Sequence, residues 1–284
     1  MLWQDLQRIR TEAPLIHNIT NYVVMNLTAN ALLAVGASPV MAHAMEEVED
    51  MVKRSRALVI NIGTLSIDWV NAMVRAGHMA NHTGIPIILD PVGSGATHFR
   101  TETANLLINN APPVIIRGNA SEIRALVLAE QFTKGVESVH TPEETIESAQ
   151  FLSGHCRCVV SMSGATDFII EDKALIRVSN GHPMMTRVTG MGCIASALTG
   201  AFAAVNHSFL HAAANAMALV GIAGEIATER SSGPGSFRAN FLDALYNITE
   251  SDIEERLKME ETTLAPGTRG KTQHRGESQR AAHN

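Results

Sequence analysis

Aromatic residues are scarce in this chain of 284 residues, where Phe, Trp and Tyr together make up only 4%. Proteins that bind single-stranded nucleic acid stack the bases on exposed rings, and so few rings exclude a surface of that kind. Basic charge is limited too, because the net charge is −6 and no dense stripe of Lys and Arg occurs in the body of the chain. Nucleic acid and anionic membranes therefore lack an electrostatic docking surface, and we expect a small molecule as the partner.

Cysteine is equally rare, and the 3 cysteines are Cys156, Cys158 and Cys193. They make no disulfide framework in a chain of this size and suit a reducing compartment. Residues 155–158 (HCRC) have no second Cys or His pair at zinc-finger spacing, so we expect a structural role there rather than a metal site.

The sequence does not favour an export signal or a membrane span. Asp5, Glu12 and Pro14 interrupt the apolar residues at the start of the chain, which favours a cytoplasmic protein. Residues 188–224 carry no charged side chain and are long enough to cross a membrane. Small and weakly polar residues dominate this stretch, however, and residues 206–208 (NHS) interrupt it. We therefore predict two helices buried in a soluble core.

Short apolar runs alternate with longer amphipathic runs in the first half of the chain. The predicted helices are residues 21–35, 66–81, 103–110 and 120–129, and the predicted strands are 57–62, 85–89 and 114–116. This alternation is typical of βαβ units, so we predict an α/β protein with a mostly parallel sheet.

The second half begins with a predicted strand at residues 159–162. Residues 167–172 and 174–179 follow it as a predicted hairpin at an antiparallel edge. Helices are predicted from Ile194 onward and over residues 208–230, 236–247 and 251–261, the last of them charged and amphipathic. We expect residues 1–265 to form one domain and residues 266–284, which lack large apolar side chains, to be a mobile tail.

Four polar or Gly-rich segments follow predicted strands, at the end of the sheet where parallel α/β proteins bind ligands. They are residues 61–64 (NIGT), 90–95 (DPVGSG), 117–122 (RGNASE) and 189–193 (TGMGC). Two glycines in the last segment let the backbone approach a ligand, and the helix predicted from Cys193 points free N–H groups there. The segment is either an anion site or an ordinary turn before a buried helix.

The common phosphate-binding loops are absent, because the chain has neither G-x-x-x-x-G-K-[ST] nor a G-x-G-x-x-G that opens a helix after a strand. An anion site late in the chain therefore indicates a different nucleotide-binding architecture. Asp90 and Glu122 follow neighbouring strands and offer hard oxygen ligands that suit Mg²⁺ held mostly through water. Either carboxylate is alternatively a helix cap or a partner of Arg117.

Taken together, these segments resemble the hydroxyethylthiazole kinase family of the ribokinase-like superfamily. The resemblance runs from about residue 15 to about residue 255. Its matching stretches are residues 17–24 (HNITNYVV), 36–41 (GASPVM), 61–65 (NIGTL), 90–93 (DPVG), 117–122 (RGNASE), 189–193 (TGMGC) and 233–237 (GPGSF).

The resemblance implies a three-layer α/β/α domain that uses ATP to phosphorylate the hydroxyl of 5-(2-hydroxyethyl)-4-methylthiazole, with Mg²⁺ as cofactor. It also implies a homotrimer with sites near the subunit contacts. The residues implied are Asn21, Met41, Gly63 and Gly190 for the thiazole, Arg117, Asn119 and Ser163 for ATP, Asp90 and Glu122 for the Mg²⁺-water shell, Gly190, Met191 and Gly192 for an anion hole, and Cys193 beside the alcohol.

Two positions depart from the related patterns. The wider superfamily usually has Asp where this chain has Cys193, and Ser163 stands where Thr is frequent in the thiazole kinase branch. A helix N-terminus favours the Cys193 thiolate and a polyphosphate opposes it. Cys193 is therefore a general base, a group that orients the alcohol, or an inert buried residue.

Two other functions remain open on the sequence alone. One is a different ribokinase-like enzyme, either a hydroxymethylpyrimidine kinase or a nicotinamide-nucleotide repair dehydratase. The other is a nucleotide sensor that keeps the fold without turnover. Asn21, Met41 and Cys193 argue against the other enzymes, and an assay of ATP consumption with and without the thiazole alcohol separates catalysis from sensing.

Overall fold

A single sheet organises the protein. In the computed structural model, which describes residues 2–131 and 142–264, nine strands lie in the order β2-β1-β3-β4-β5-β6-β7-β8-β9. The strands are β1 (Leu15–Ile19), β2 (Ser38–Val40), β3 (Ala57–Asn61), β4 (Ile87–Asp90), β5 (Ile115–Asn119), β6 (Val159–Ser163), β7 (Asp167–Glu171), β8 (Ala174–Val178) and β9 (Met259–Thr263).

The strands from β2 to β6 in this order pair in parallel, and β6 to β9 pair antiparallel. The parallel strands end in register, with Asn61 opposite Asp90 and Asn119 opposite Ser163. Their polar last residues therefore lie at one edge of the sheet, where parallel α/β proteins bind ligands.

Helices cover both faces of the sheet. They are α1 (Leu2–Glu12), α2 (Met25–Ala34), α3 (Val48–Arg54), α4 (Ile67–Thr83), α5 (His98–Asn110), α6 (Ala120–Gln131), α7 (Pro142–Cys156), α8 (Met191–Ala203), α9 (Phe209–Glu229), α10 (Pro234–Asn247) and α11 (Glu250–Arg256), with a short 3-10 helix at Pro183–Arg187. Alternate residues of β3 face two separate cores, Val59 with the α8 and α9 side and Leu58 with the α4 side. The predicted three-layer α/β/α class is confirmed.

The uncharged stretch at residues 188–224 contributes to α8 and α9, which lie in the core. By length and composition α9 could cross a membrane, with a mean hydropathy of 1.4, but 83% of its apolar window is buried inside the protein. α8 packs closely on β3 at Gly200, where a Cβ would lie 2.7 Å from Cγ2 of Val59. This burial agrees with the two core helices predicted from the sequence.

The predicted helix over residues 251–261 is wrong in its second half. α11 ends at Arg256, and Met259–Thr263 instead forms β9, the outermost strand, beside β8. The tertiary partner decides this, because the backbone N–H of Lys258 donates to Oδ1 of Asn180 and the guanidinium of Arg177 to Oγ1 of Thr262, at 2.8 and 2.9 Å. The predicted hairpin is present as β7 and β8 but does not form the edge.

The sequence analysis assigned no element to residues 38–54 or 142–156, where β2, α3 and α7 form. The sequence analysis assigned no element to residues 2–19, where α1 and β1 form, and the helix predicted from residue 21 begins at Met25 after a turn closed by Val24 N–H to the Asn21 carbonyl. The predicted mobile tail at residues 266–284, and with it the predicted domain boundary, lies outside the described residues.

Candidate active site

A cavity of about 930 Å³ opens at the edge where β3 to β6 end. All the site residues named from the sequence line it except Met41; they are Asn21, Gly63, Asp90, Arg117, Asn119, Glu122, Ser163, Gly190, Met191, Gly192 and Cys193. The topology therefore brings together residues that lie as far apart in the sequence as Asn21 and Cys193.

The cavity has two contrasting sides. On one side, Asn21, Asp90 and Cys193 line the cavity, and hydrogen bonds join their side chains to Asn61, which does not line it; we call these four residues the inner wall, and the two asparagines and the aspartate are buried. We call residues 163–167 and 180–189 the outer wall; it includes several exposed positions.

The glycine turn before α8 has the geometry of an anion site. Gly190 has a φ of 91°, and a Cβ there would lie 2.8 Å from Cγ1 of Val24, so the turn requires glycine. α8 begins at Met191, two residues before the predicted start at Cys193. Its first-turn N–H groups, which have no partner within the helix, and the positive end of its dipole lie at the cavity.

Arg117 places a cation directly beneath this turn. Its side chain is 7% exposed, and a Cβ on Gly192 would lie 2.8 Å from the Nη1 atom of Arg117. The buried Nε atom has no hydrogen-bond partner among the described residues. A buried guanidinium with unused donors beside helix N–H groups is suited to bind a phosphate.

Cys193 is held by two asparagines. Its Sγ atom accepts N–H from Nδ2 of Asn61 at 3.2 Å and from Nδ2 of Asn21 at 3.4 Å. Burial, and then the charge of Asp90, raise the pKa of the Cys193 thiol to about 11, although the two asparagine donors act in the other direction. The helix N-terminus that favoured a thiolate in the sequence analysis is therefore outweighed, and Cys193 is a thiol at neutral pH in the free protein.

Asp90 is the second buried group of the inner wall. Its Oδ2 atom accepts hydrogen bonds from Asn61 Nδ2 at 2.6 Å and from Ser196 Oγ at 2.7 Å, and the residue is 1% exposed. Burial raises the pKa of Asp90 to about 6, with the Glu122 charge adding to the effect and the Arg117 charge opposing it. The hydrogen bonds and the Arg117 charge thus do not fully stabilise the ionised Asp90 carboxylate in the free protein. A cation at this edge would stabilise it further.

Glu122 acts as a cap, one of the two alternatives that the sequence left open. Its Oε2 accepts the Asn119 N–H and its Oε1 the Gly93 N–H, each at 2.8 Å, while Asn119 Oδ1 accepts the Glu122 N–H at 2.9 Å. The reciprocal pair is a capping box that begins α6. Glu122 consequently ties the loop after β4 to the end of β5.

The carboxylates fit Mg²⁺ held through water or phosphate rather than a cage of protein ligands. Asp90 and Glu122 both line the cavity; the two hydrogen bonds of Asp90 fall on Oδ2 and leave Oδ1, and each Glu122 oxygen accepts one N–H and keeps a second lone pair. Within residues 2–131 and 142–264, no three His, Cys, Asp or Glu side chains cluster closely enough to hold an ion. Mg²⁺ commonly keeps several waters in such sites.

The outer wall contains residues that the sequence analysis missed. Asp167 is 7% exposed, accepts the Gly164 N–H at 3.0 Å, and has its pKa raised to about 6 by burial. Ser163 lies beside it at the end of β6, with its hydroxyl 3.4 Å from the Gly118 carbonyl. Met185 of this wall and two residues of α9 that also line the cavity, Met217 and Val220, add an apolar surface. Ser163 was named from the family resemblance and Thr189 belongs to a segment singled out from the sequence, whereas Asp167 and residues 180–188 carried no such signal.

Met41 does not line the cavity of the chain. It follows β2 and is half-buried, and its carbonyl lies 3.4 Å from Nδ1 of His43. Its contact with a thiazole stays a prediction. Asn61, by contrast, was part of a segment singled out from the sequence, yet only the structure shows that it joins three other site residues.

The hydroxyethylthiazole kinase family model matches residues 6–251. This chain belongs to the hydroxyethylthiazole kinase family. A hydroxyethylthiazole kinase of Syntrophus aciditrophicus is 59% identical over 258 residues, which are 90% of this chain and 96% of that protein. One of Oleidesulfovibrio alaskensis is 51% identical, over 89% of this chain and 95% of that protein. The resemblance and the phosphotransferase class stated from the sequence are confirmed.

Solved structures agree with the family and the fold. The hydroxyethylthiazole kinase structure from Pyrococcus horikoshii superposes with a TM-score of 0.86 at 44% identity, covering 92% of this chain and 98% of that chain. A ribokinase-like superfamily protein of Enterococcus faecalis, at 11% identity, covers 81% of this chain and 86% of that chain with a TM-score of 0.60, which shows the fold alone. The hydroxyethylthiazole kinase family member described here thus has a ribokinase-like fold.

Proposed function

We propose that the chain transfers the γ-phosphoryl group of ATP to the hydroxyl of 5-(2-hydroxyethyl)-4-methylthiazole, giving the thiazole phosphate used in thiamine biosynthesis or salvage. The observation that carries this proposal is one cavity in which a helix N-terminus, the buried Arg117 cation and the Cys193–Asn21 pair meet. It unites an anion site with a polar site for an alcohol, in a chain of this kinase family.

The reaction forms a bond from the alcohol oxygen to the γ-phosphorus and breaks the bond from that phosphorus to the oxygen bridging to the β-phosphate. The alcohol proton is released and ADP leaves. Phosphoryl transfer depends chiefly on positioning and on neutralising the charge of the transferred group. The N–H groups of Met191, Gly192 and Cys193 would hold the transferred oxygens, with the Arg117 guanidinium behind them.

Mg²⁺ would be held at Asp90 and Glu122, through water and the phosphates, and would neutralise phosphate charge when bound. Burial and neighbouring negative charge, which raise the pKa of Asp90, support a cation at this edge. Glu122 would keep its amide bonds to Gly93 and Asn119 meanwhile, so that the same carboxylate shapes the loop that faces the metal.

On the alcohol side, we assign Asn21 and Cys193 to the substrate hydroxyl. Nδ2 of Asn21 donates hydrogen bonds to Asn61 Oδ1 and to the Cys193 sulfur. The amide oxygen of Asn21 is therefore left to accept the alcohol O–H. Because the raised pKa keeps Cys193 a thiol in the free protein, we favour the orienting role over the general base. Gly63 and Gly190 would allow the ring to approach the backbone.

Nucleotide binding is assigned to Arg117, Asn119 and Ser163. These residues lie on the side of the cavity next to the outer wall, where Met185, Met217 and Val220 offer an apolar surface for a flat ring. The polar groups would contact phosphate and ribose, and the apolar surface would contact the base.

A homotrimer with sites near subunit contacts, in the cytoplasm, completes the proposal. Two observations support it: Met41 does not reach the cavity of its own chain, and Tyr22 and Val23, next to Asn21, are each 65% exposed. Large apolar side chains beside a site are suited to a subunit contact. Sedimentation equilibrium at several protein concentrations measures the assembly, and a monomer at all of them would contradict it.

The test of the activity is a coupled-enzyme assay of ADP release with and without the thiazole alcohol, with the phosphorylated product identified by mass spectrometry. We expect ADP release that requires both the alcohol and Mg²⁺. Hydroxymethylpyrimidine and pyridoxal serve as control acceptors. Binding of ATP without turnover on any acceptor would support the sensor function instead, and turnover on a control acceptor alone would contradict the thiazole assignment.

A further inference from the structure

Asn61 is the inner-wall residue to which neither the sequence nor the family resemblance assigned a role. It ends β3, is 1% exposed, and does not line the cavity. Its Oδ1 accepts N–H from the Gly63 backbone at 2.9 Å and from Asn21 Nδ2 at 2.8 Å. Its Nδ2 donates to Asp90 Oδ2 at 2.6 Å and to Cys193 Sγ at 3.2 Å. An amide has two lone pairs and two N–H donors, so Asn61 uses its full capacity.

The partners also fix which way the Asn61 amide faces. The backbone N–H of Gly63 can only donate, and the ionised carboxylate of Asp90 can only accept. A rotation of the amide by 180° would set N–H against N–H and oxygen against oxygen. The nitrogen of Asn61 is therefore committed to the side of Asp90 and Cys193.

This commitment determines the environment of the sulfur. Asn61 and Asn21 direct N–H groups at the Cys193 sulfur from the inner wall, at 3.2 and 3.4 Å. A thiol sulfur accepts weakly and carries one S–H donor. With two donors on the wall side, the S–H bond is turned away from them, and Cys193 borders the cavity.

We propose that Asn61 is a positioning residue for phosphoryl transfer, which holds the Cys193 sulfur and the Asp90 carboxylate in one geometry and acts on the reaction through them. The inference rests on the proposed function. Aspartate at this place would lose both donors and set a carboxylate against Asp90, and an aliphatic residue would remove the hydrogen bond that each of the four partners makes to Asn61.

Asn61→Asp tests the donor half of the amide, because it keeps the size of the side chain and the oxygen that accepts from Gly63 and Asn21. We expect kcat to fall by about 10²-fold, because a misplacement of about 1 Å between reacting groups costs a loss of this order, with little change in KM for the thiazole alcohol. A kcat equal to that of the parent would overturn the inference.

The matched control is Asn18→Leu in the adjacent strand β1. Asn18 is also a fully buried asparagine, but among the described residues its Nδ2 donates to the Ile16 carbonyl alone, its Oδ1 has no partner, and it lies outside the cavity lining. Its loss should leave kcat unchanged, because its hydrogen bond runs to the Ile16 backbone and not to Cys193 or Asp90. Should Asn18→Leu lower kcat as much as Asn61→Asp does, the Asn61 effect is one of general packing and the inference fails.

A double-mutant cycle distinguishes positioning from a structural role. In a Cys193→Ala background, Asn61→Asp should cost clearly less in kcat than in the parent, since one of the two groups it positions is gone. Equal costs in both backgrounds would contradict the inference. If Asn61→Asp does not fold, Asn61→Ala, which removes the same donors and leaves room for water, enters the same cycle.

A last measurement needs no catalysis. Iodoacetamide is added to protein free of metal and nucleotide, and modification at Cys193 is followed by peptide mass spectrometry. Asn61→Asp should slow the reaction several-fold, because the sulfur loses an N–H donor that stabilises the thiolate; an unchanged rate would show that Asn61 does not act on the sulfur.

A parent inactive on the thiazole alcohol would defeat the proposed function, whereas an active parent with a fully active Asn61→Asp would defeat this inference alone.

Discussion

The inner and outer walls of the cavity are built on different principles. The inner wall joins residues from four parts of the chain, and its hydrogen bonds span up to 172 positions, from Asn21 to Cys193. The outer wall comes from two continuous segments, residues 163–167 and 180–189, and Gly164, Ala165, His182 and Pro183 are exposed. The groups assigned to the alcohol are therefore joined to one another by hydrogen bonds and are largely buried, whereas much of the outer wall is open to solvent.

Arg117 lies between the two walls, and its loss should have the largest effect. Arg117→Ala removes a buried cation beneath the anion turn, so we expect kcat/KM for ATP to fall by about 10²- to 10³-fold. Steady-state kinetics with varied ATP measures this, and circular dichroism checks that the fold is kept. Unchanged kcat/KM for ATP would refute the assignment of Arg117 to phosphate.

Glu122→Gln should have the next largest effect and tests the metal edge that both walls share. Turnover should drop by about 10- to 100-fold while the affinity for the thiazole alcohol, measured by calorimetry, stays near that of the parent. The structure adds a second expectation, because glutamine can accept from only one of the Gly93 and Asn119 amides. We expect the free energy of unfolding to fall by about 1 kcal/mol. Lost alcohol binding with intact turnover would contradict the metal assignment.

Cys193 tests whether the inner wall orients the alcohol or removes its proton. Cys193→Ala should lower kcat about tenfold if the thiol only orients, the value of one hydrogen bond, whereas a general base predicts a loss of about 10²- to 10⁴-fold. Cys193→Asp should retain appreciable activity, since aspartate can accept the alcohol proton. An alanine variant as active as the parent would leave Cys193 as packing alone.

Asp167 on the outer wall should have the smallest effect on turnover and a distinct effect on stability. Its pKa in the folded protein is raised to about 6 from 3.8, so the folded state binds more protons than the unfolded state between those values. The free energy of unfolding therefore falls as pH rises from about 4 to about 6. Asp167→Asn, which keeps an oxygen for the Gly164 N–H, should remove this contribution, on the order of 2 kcal/mol.

Urea unfolding of the parent and Asp167→Asn at pH 4, 5, 6 and 7 measures that difference. Asp90 has its pKa raised to a similar value, so the variant should keep part of the slope. Identical pH dependence in the two proteins would show that Asp167 titrates normally.

The sequence alone predicted the α/β class, most strands of the sheet and the cluster of residues at its edge. Apolar runs such as residues 57–62 and 85–89 were correctly predicted as strands, because a buried parallel strand is apolar on both faces. Residues 189–193 were correctly predicted as a glycine turn before a helix, because the φ of 91° at Gly190 is one that side chains other than glycine rarely adopt. Elements that depend on such local patterns, the buried strands and the glycine turn, could therefore be predicted from the sequence.

Other features depended on contacts between distant residues, which no local pattern encodes. Residues 259–261 were predicted as the end of the last helix, yet they belong to β9 (Met259–Thr263), because β8 offers them a strand edge with which to pair. Nothing near Asn61 in the sequence reveals that its amide joins Asn21, Asp90 and Cys193. The protonation state of Cys193 is likewise a tertiary property: a helix N-terminus is visible in the sequence, but the burial and the Asp90 charge that raise the pKa exist only once β4 and α8 have packed together.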